Sequence, residues 1–303
     1  MNAHAPSQDR PVLGVMWMLA TTLSFTGVNV IVHHLGADLP AAQTSFVRFL
    51  WGILFVAPAI WQLRKMRFSA RIWGLFGLRG ATQALAVLLW FYAMARIPIA
   101  DVTAIGYLNP IVVTLGGALL LGEGFAWRRG AAIAVALIGA LIILRPGLRE
   151  VAPGHVAQLG AAIFFGLAYL VAKHLSAHTP ASIIVALMTL SITLCLAPFA
   201  IAVWQPMNLN ETLWLGLTAV FATLAHYCMT RAFACAPVTV TQPVAFLQLV
   251  FGSTAGLLLF GEHIDPYVLL GGGMIIGAVS YVTWREAKMK RRGVTPAIPQ
   301  TKV

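Results

Sequence analysis

Apolar runs of roughly twenty residues, divided by short polar or proline-marked breaks, fill the chain from residue 12 to residue 284. A helix needs about 20 apolar residues to cross the hydrocarbon core of a bilayer, so each run reads as a membrane-spanning helix. The breaks predict helices at 12–35, 41–63, 71–95, 101–121, 128–145, 155–176, 180–203, 212–234, 238–260 and 264–284. This is an all-α, polytopic membrane protein of ten transmembrane helices. No polar stretch between them is long enough for a soluble domain. The run beginning at Val12 exceeds a signal-peptide core and lacks a small-residue cleavage site, so it is expected to remain as the first span.

The ten runs fall into two similar sets. Residues from Ala93 (AMARIPIADVTAIGYLNPIVVTLGGALLLGE) lie over those from Ala232 (AFACAPVTVTQPVAFLQLVFGSTAGLLLFGE) at a constant offset of 139. Pro98 meets Pro237, Leu108 meets Leu247, Gly117 meets Gly256, and Gly122-Glu123 meets Gly261-Glu262. Upstream, an offset of 140 pairs Phe25 with Phe165, His34 with His174 and Pro40 with Pro180. A five-span repeat is odd-numbered, so its second copy crosses in the opposite sense, and inverted repeats are a mark of secondary transporters. The expected organisation is a cytoplasmic tail at 1–11, a first five-helix repeat at 12–145, an inverted second repeat at 155–284, and a basic cytoplasmic tail at 285–303.

Composition agrees and adds an orientation. Hydrophobic residues make up 59% and charged residues only 10%, with a mean hydropathy of +0.84, against roughly 25% charged in soluble proteins. Of the 20 Lys and Arg, fifteen fall on the side of the N-terminus and three on the other, with Arg48 and Arg79 inside spans. By the positive-inside rule both termini are cytoplasmic, in the cell inner membrane. The net charge of +11 thus reports topology and contact with membrane lipids, and no nucleic-acid partner is expected. Cys195, Cys228 and Cys235 lie in apolar runs without CxxC or Cys/His ligand spacing, so neither a disulfide framework nor a metal site is implied. No cofactor is expected, and the absence of a Walker A motif argues against ATP-driven pumping by this chain.

The doubled small residue and Pro before the fourth and ninth runs, the endings Leu121-Gly122-Glu123 and Phe260-Gly261-Glu262, the Gly-rich helices that follow, and Arg48 within Ser45-Phe46-Val47-Arg48-Phe49 carry a family likeness. Here the sequence resembles the drug/metabolite transporter superfamily in its ten-helix EamA branch, and in length and character it is most similar to the aromatic amino-acid exporters of that branch. The resemblance implies a transporter, not an enzyme, that exports small amphipathic metabolites. One departure stands out: Pro110 has Leu249 as its counterpart, which predicts that the fourth and ninth helices kink differently.

Polar groups inside lipid need a partner or a water-filled space, so polar residues at helical spacing mark an interior face. Thr22, Thr26, Asn29 and His33 share one face of the first span, and their repeat counterparts are Ala162, Gly166, Tyr169 and Lys173. Because the copies are inverted, His33 and Lys173 are candidate gate or pathway residues at opposite ends of one route; snorkelling of Lys173 is the alternative. In the fourth span Thr103, Tyr107, Pro110 and Thr114 share a face answered by Gln242, Phe246, Leu249 and Ser253. The candidate substrate-binding set is Asn29, Gln83, Trp90, Tyr107, Tyr169, His226, Tyr227, Gln242, Phe246 and Gln248. Amides that donate and accept suit a zwitterion, and the rings suit an apolar side chain. Arg79 is expected to snorkel, and Arg48 either fastens to backbone carbonyls or meets a substrate carboxylate. No Asp or Glu falls in the middle of a predicted span, which predicts transport without strict proton coupling. Gly273 and Gly277 form a GxxxG, with Ala136 and Ala140 a similar pair, expected to pack within one chain as a monomer.

These features predict a secondary transporter of a small-molecule substrate working by alternating access, and the resemblance implies amino acids, aromatic ones included, as that substrate. A lipid-linked or nucleotide-sugar carrier would share the architecture. An intramembrane enzyme would need an HExxH, a GxSxG or paired carboxylates within the spans, none of which accompanies the histidines.

Overall fold

The computed structural model describes residues 11–63, 66, 68–120, 127–147, 150–176, 181–236 and 238–293, and these form helices without a strand. In chain order they are α1 (Pro11–Leu35), α2 (Ala41–Leu63), α3 (Ala70–Met94), α4 (Ile99–Gly106), α5 (Asn109–Leu120), α6 (Trp127–Leu144), α7 (Pro153–Ser176), α8 (Ala181–Ala202), α9 (Leu209–Cys235), α10 (Val238–Ala245), α11 (Leu247–Phe260) and α12 (Pro266–Gly293). Local chemistry sets several starts. Pro11 opens α1, where its missing N–H is no loss. Ser69 accepts from the Ile72 N–H at the head of α3, and Asn208 with Glu211 forms a reciprocal capping box at the head of α9.

Two expectations need correction. The fourth and ninth runs are each two helices rather than one, which gives twelve helices among the described residues. Also, α12 continues to Gly293, so the basic segment after residue 284 begins as helix; cations there complement the negative end of the helix dipole. Seven helices are long and apolar enough to cross a membrane, and shorter apolar stretches occupy Ile99–Val113, Gly130–Leu144 and Leu247–Phe260.

The packing pairs helices of one half with those of the other. α1 lies on α9 and α7 on α3, which are the same contact after exchange of the halves. Likewise α1 meets α11 as α7 meets α5, and α1 meets α10 as α7 meets α4. The pairs α2 with α8 and α6 with α12 are their own images. Contacts thus obey the pseudo-twofold symmetry that the sequence repeat implies. Outward-facing Leu54, Leu194 and Leu258 are 62%, 72% and 74% exposed, which suits a surface that meets lipid. Trp61, Trp73, Trp204 and Trp284 are also exposed near helix ends, as interfacial indoles are.

The close α6–α12 approach is made by glycines other than those expected. A methyl group on Gly139 would stand 2.6 Å from the Gly271 carbonyl oxygen, whereas Gly273 and Gly277 meet nothing within 4 Å. The GxxxG therefore looks outward, and Ala136 and Ala140 are buried beside Gly139.

Candidate substrate pathway

The broken helices organise the interior. In the first half the chain leaves helix at Tyr107 and Leu108, before Asn109-Pro110, where a residue preceding proline disfavours the helical region. In the second half the break falls at Phe246, the counterpart of Tyr107, although Leu249 replaces the proline. The two spans therefore break at matching positions, contrary to the unequal kinking expected. Tyr107 supplies the reason the second break is stable: its hydroxyl lies 3.2 Å from the Phe246 carbonyl and 3.4 Å from that of Ala245, and it accepts from the Leu249 N–H at 3.1 Å. Backbone groups freed within a membrane must be served by neighbouring protein. The Tyr107 and Phe246 rings meet edge to face at 5.1 Å.

At one end of the bundle, polar bonds join the two halves. Gly261 at φ +67 terminates α11 in the left-handed conformation, and the Glu262 N–H returns to the Gly256 carbonyl at 3.0 Å. Gly256 leaves the space in which the Glu262 carboxylate lies, since a methyl there would collide with it. The carboxylate then caps α4, accepting from the Ile99 N–H at 3.3 and 3.2 Å. The repeated Gly…Gly-Glu pattern is, in this copy, a device for capping the broken helix of the opposite half. Glu123, its counterpart, lies outside the described residues.

His33 completes this cluster. Its Nδ1 lies 2.7 Å from the Met94 carbonyl oxygen and its Nε2 lies 3.2 Å from Glu262 Oε1. A carbonyl only accepts, so Nδ1 carries a proton; the Nε2 contact then holds a further proton on one partner or the other. Burial raises the Glu262 carboxyl above its ordinary value, with the His33 charge and the Ile99 N–H opposing and Asp101 reinforcing the shift. Nearby, Asp101 Oδ2 and His155 Nε2 are 2.9 Å apart and both residues are 2% exposed. Gln158 donates to the Val102 carbonyl at 2.9 Å, Arg145 pairs with Asp265, and Gln43 exchanges two hydrogen bonds with the backbone of Gln205. Asp101 is thus a buried acid within the fourth span, which counting positions toward the span centre overlooks. An acidic residue in the first turn of a helix was the available signal.

Deeper in the bundle, polar atoms outnumber their partners. Asn29 donates to Thr103 Oγ1 at 3.4 Å, while its Oδ1 has no partner. Gln83 Oε1, Asn109 Oδ1, Gln158 Oε1 and Ser253 Oγ are also buried without one. Thr22 and Thr26, by contrast, bond carbonyls of their own helix. Trp90 of α3 meets Phe165 of α7 at 6.1 Å, and Phe165 stacks on Tyr169 at 6.4 Å and 21°. Tyr169 itself is 42% exposed, and its ring contact is this stacking on Phe165.

The expected residues therefore separate. Asn29 and Gln83 are buried, Trp90 and His226 are half-buried, His226 standing edge-on to Phe25 at 5.4 Å, and Tyr169 is exposed. Tyr107 and Phe246 join the halves at the break. Gln248 is partly buried in α11, and Tyr227, 54% exposed against Trp17, continues the exposed stripe of Leu213, Leu217, Val220 and Leu224. The side chains of Lys173 and Gln242 lie outside the described residues. Arg79 does not snorkel: it is 7% exposed, and its Nη2 reaches Met188 Sδ at 3.4 Å. Arg48 does not fasten to carbonyls; its guanidinium lies 4.1 Å over the Phe49 ring. No group of three or more metal-ligating side chains occurs among the described residues.

Comparison with known proteins places these features in context. The model of the EamA-like transporter family matches twice, at residues 12–145 and 152–284. A riboflavin transporter of Vibrio cholerae is 30% identical over 293 residues, covering 94% of this chain and 97% of its own. A pseudopaline exporter of Pseudomonas aeruginosa is 28% identical, covering 88% and 94%, and an S-adenosylmethionine uptake transporter of Rickettsia bellii is 23% identical, covering 91% and 95%. A solved crystal structure is similar over 94% of this chain and 97% of its own, with a TM-score of 0.54 at 17% identity, a likeness of fold alone.

Proposed function

Since the chain belongs to the EamA-like transporter family and is a multi-pass membrane transporter, we propose that its cargo is a water-soluble metabolite bearing a planar ring. Ten crossings carry it through the inner membrane by alternating access, with both termini cytoplasmic. The observation that supports the ring is the Trp90–Phe165–Tyr169 series beside buried amides whose oxygens lack partners. Rings stack on such a series, and the free amide oxygens of Asn29 and Gln83 can accept from polar edges of the cargo. Relatives named for riboflavin and for S-adenosylmethionine make these two compounds the first to test. Relatives are named for uptake, of S-adenosylmethionine, and for export, of pseudopaline, so the family fold does not fix the direction of net flux.

Aromatic amino acids are the second reading. Arg48 and Arg79 favour it, because a guanidinium without a partner suits an amino acid's carboxylate.

The test is counterflow in proteoliposomes with riboflavin, S-adenosylmethionine, tryptophan, phenylalanine and a ringless amino acid. Exchange of at least one ring-bearing compound is expected, falling severalfold in Gln83→Leu and Trp90→Ala proteins that stay monodisperse. Exchange of the ringless compound alone would refute the reading.

A further inference from the structure

Two guanidinium groups lie inside the bundle without a counter-charge among the described residues. Arg48 of α2 is 8% exposed and Arg79 of α3 is 7% exposed. Nε of Arg48, and Nε and Nη1 of Arg79, are buried without a hydrogen-bond partner. Ion pairs among the described residues join His33 to Glu262, Arg145 to Asp265 and His155 to Asp101, and none reaches Arg48 or Arg79. What each does touch is soft: the Phe49 ring for Arg48 and the Met188 sulfur for Arg79.

An unpaired buried charge is among the costliest features a fold can hold, and within a membrane it marks a functional site by default. Burial removes snorkelling as the explanation for Arg79, and the lack of carbonyl bonds removes backbone fastening for both. The two cations also share a neighbourhood. α2 packs on both α3 and α8, and the Phe49 ring under Arg48, Met188 beside Arg79, and Trp90 and Phe165 of the aromatic series all belong to one packed cluster. Phe165 stacks in turn on Tyr169, the last ring of the series. The ring-binding and cationic features are therefore contiguous.

We propose that Arg48 and Arg79 form an oxyanion subsite which binds a carboxylate or phosphate of the cargo while its ring lies on the Trp90–Phe165–Tyr169 series. The proposal rests on the transporter reading above and narrows it to acid-bearing, ring-bearing metabolites. Planar guanidinium forks pair bidentately with either oxyanion.

Matched compounds test this, each pair differing in one acidic group: tryptophan with tryptamine for a carboxylate, and flavin mononucleotide with riboflavin for a phosphate. Counterflow is measured for wild type, Arg48→Gln, Arg79→Gln and Arg79→Lys, and thermal unfolding of the purified full chain is followed with and without inorganic phosphate or acetate. At least a tenfold preference for the acid-bearing member of one pair is expected in wild type, lost in both Gln variants and kept in Arg79→Lys. Which pair shows it identifies the oxyanion. Without added anion, Arg79→Gln should unfold at a higher temperature than wild type, since a structural arginine would shift it the other way; a lower temperature or a protein that cannot be obtained monodisperse overturns the subsite. Equal carriage of both members by wild type also overturns it and leaves the ring reading standing. If no compound is carried but phosphate or acetate stabilises wild type and not the Gln variants, the ring reading falls and the subsite stands. If neither occurs, both fall.

Discussion

Residue by residue, what the sequence discloses depends on whether a side chain's chemistry or its direction decides its role. Asn29 and Gln83 are legible because an amide in an apolar run is costly to bury unpartnered, and both are indeed buried with a free oxygen. Arg79 misleads because its distance from a helix end allows snorkelling, while the neighbours that enclose it come from α7 and α8. Tyr107 is visible as an inward ring, but its hydroxyl chemistry is set by a helix break 139 residues away. That assignment can be tested without changing the ring. Tyr107→Phe removes the hydroxyl from the Leu249 N–H and the Phe246 carbonyl, leaving them only their own 3.1 Å bond, and a lost net hydrogen bond costs about 0.5–1.5 kcal/mol. A lower unfolding temperature in detergent is therefore expected, with transport retained below it; an unchanged temperature would show that the hydroxyl does not support the break.

Among the helices, hydropathy locates nearly every end to within a few residues, since lipid imposes one length on all of them. The internal breaks are less legible. Pro110 announces the first, whereas the second has no proline at Leu249 and arises from the contact with the opposite half. Small residues show the same limit: a GxxxG at Gly273 and Gly277 is conspicuous in the sequence, yet the backbone contact belongs to Gly139 and Gly271, whose relation crosses two helices. The difference predicts opposite behaviour for like substitutions. Gly139→Ala must push α6 from α12 and should cost about 1–3 kcal/mol, the usual penalty of overpacking. Gly277→Ala enters open space inside a helix and should leave stability unchanged or raise it by up to about 1 kcal/mol. Thermal unfolding of the two proteins side by side decides it, and equal stability would mean that the Gly139–Gly271 contact does not hold the helices.

For the whole molecule, the offsets of 139 and 140 carry the architecture, because two inverted halves must exchange contacts about a pseudo-twofold axis. The sequence does not carry the state in which the molecule rests. Pairs such as His33–Glu262 and Asp101–His155, whose members are far apart in the chain, join the halves at one end, and under the proposed alternating access they hold that end closed. Closure there must be linked to protons. Desolvation raises the Glu262 carboxyl in the closed state, and once water enters, the group returns toward its ordinary 4.5. The closed state therefore binds the proton more tightly, so lowering the pH through this window favours closure and raising it above 4.5 favours opening. Each unit by which the carboxyl is raised changes the ratio of open to closed by at most about tenfold. A thiol placed by Val32→Cys, in a chain whose Cys195, Cys228 and Cys235 are alanine, reports opening through its labelling rate. Dividing by the rate in the same chain carrying Glu262→Gln cancels the titration of the thiol itself. The ratio should climb as pH rises above 4.5 and then level. His33→Gln removes the charge that opposes the shift and should move the climb to higher pH. A ratio flat with pH would mean that Glu262 keeps the same proton affinity in both states, and this end of the molecule would then open without regard to protons.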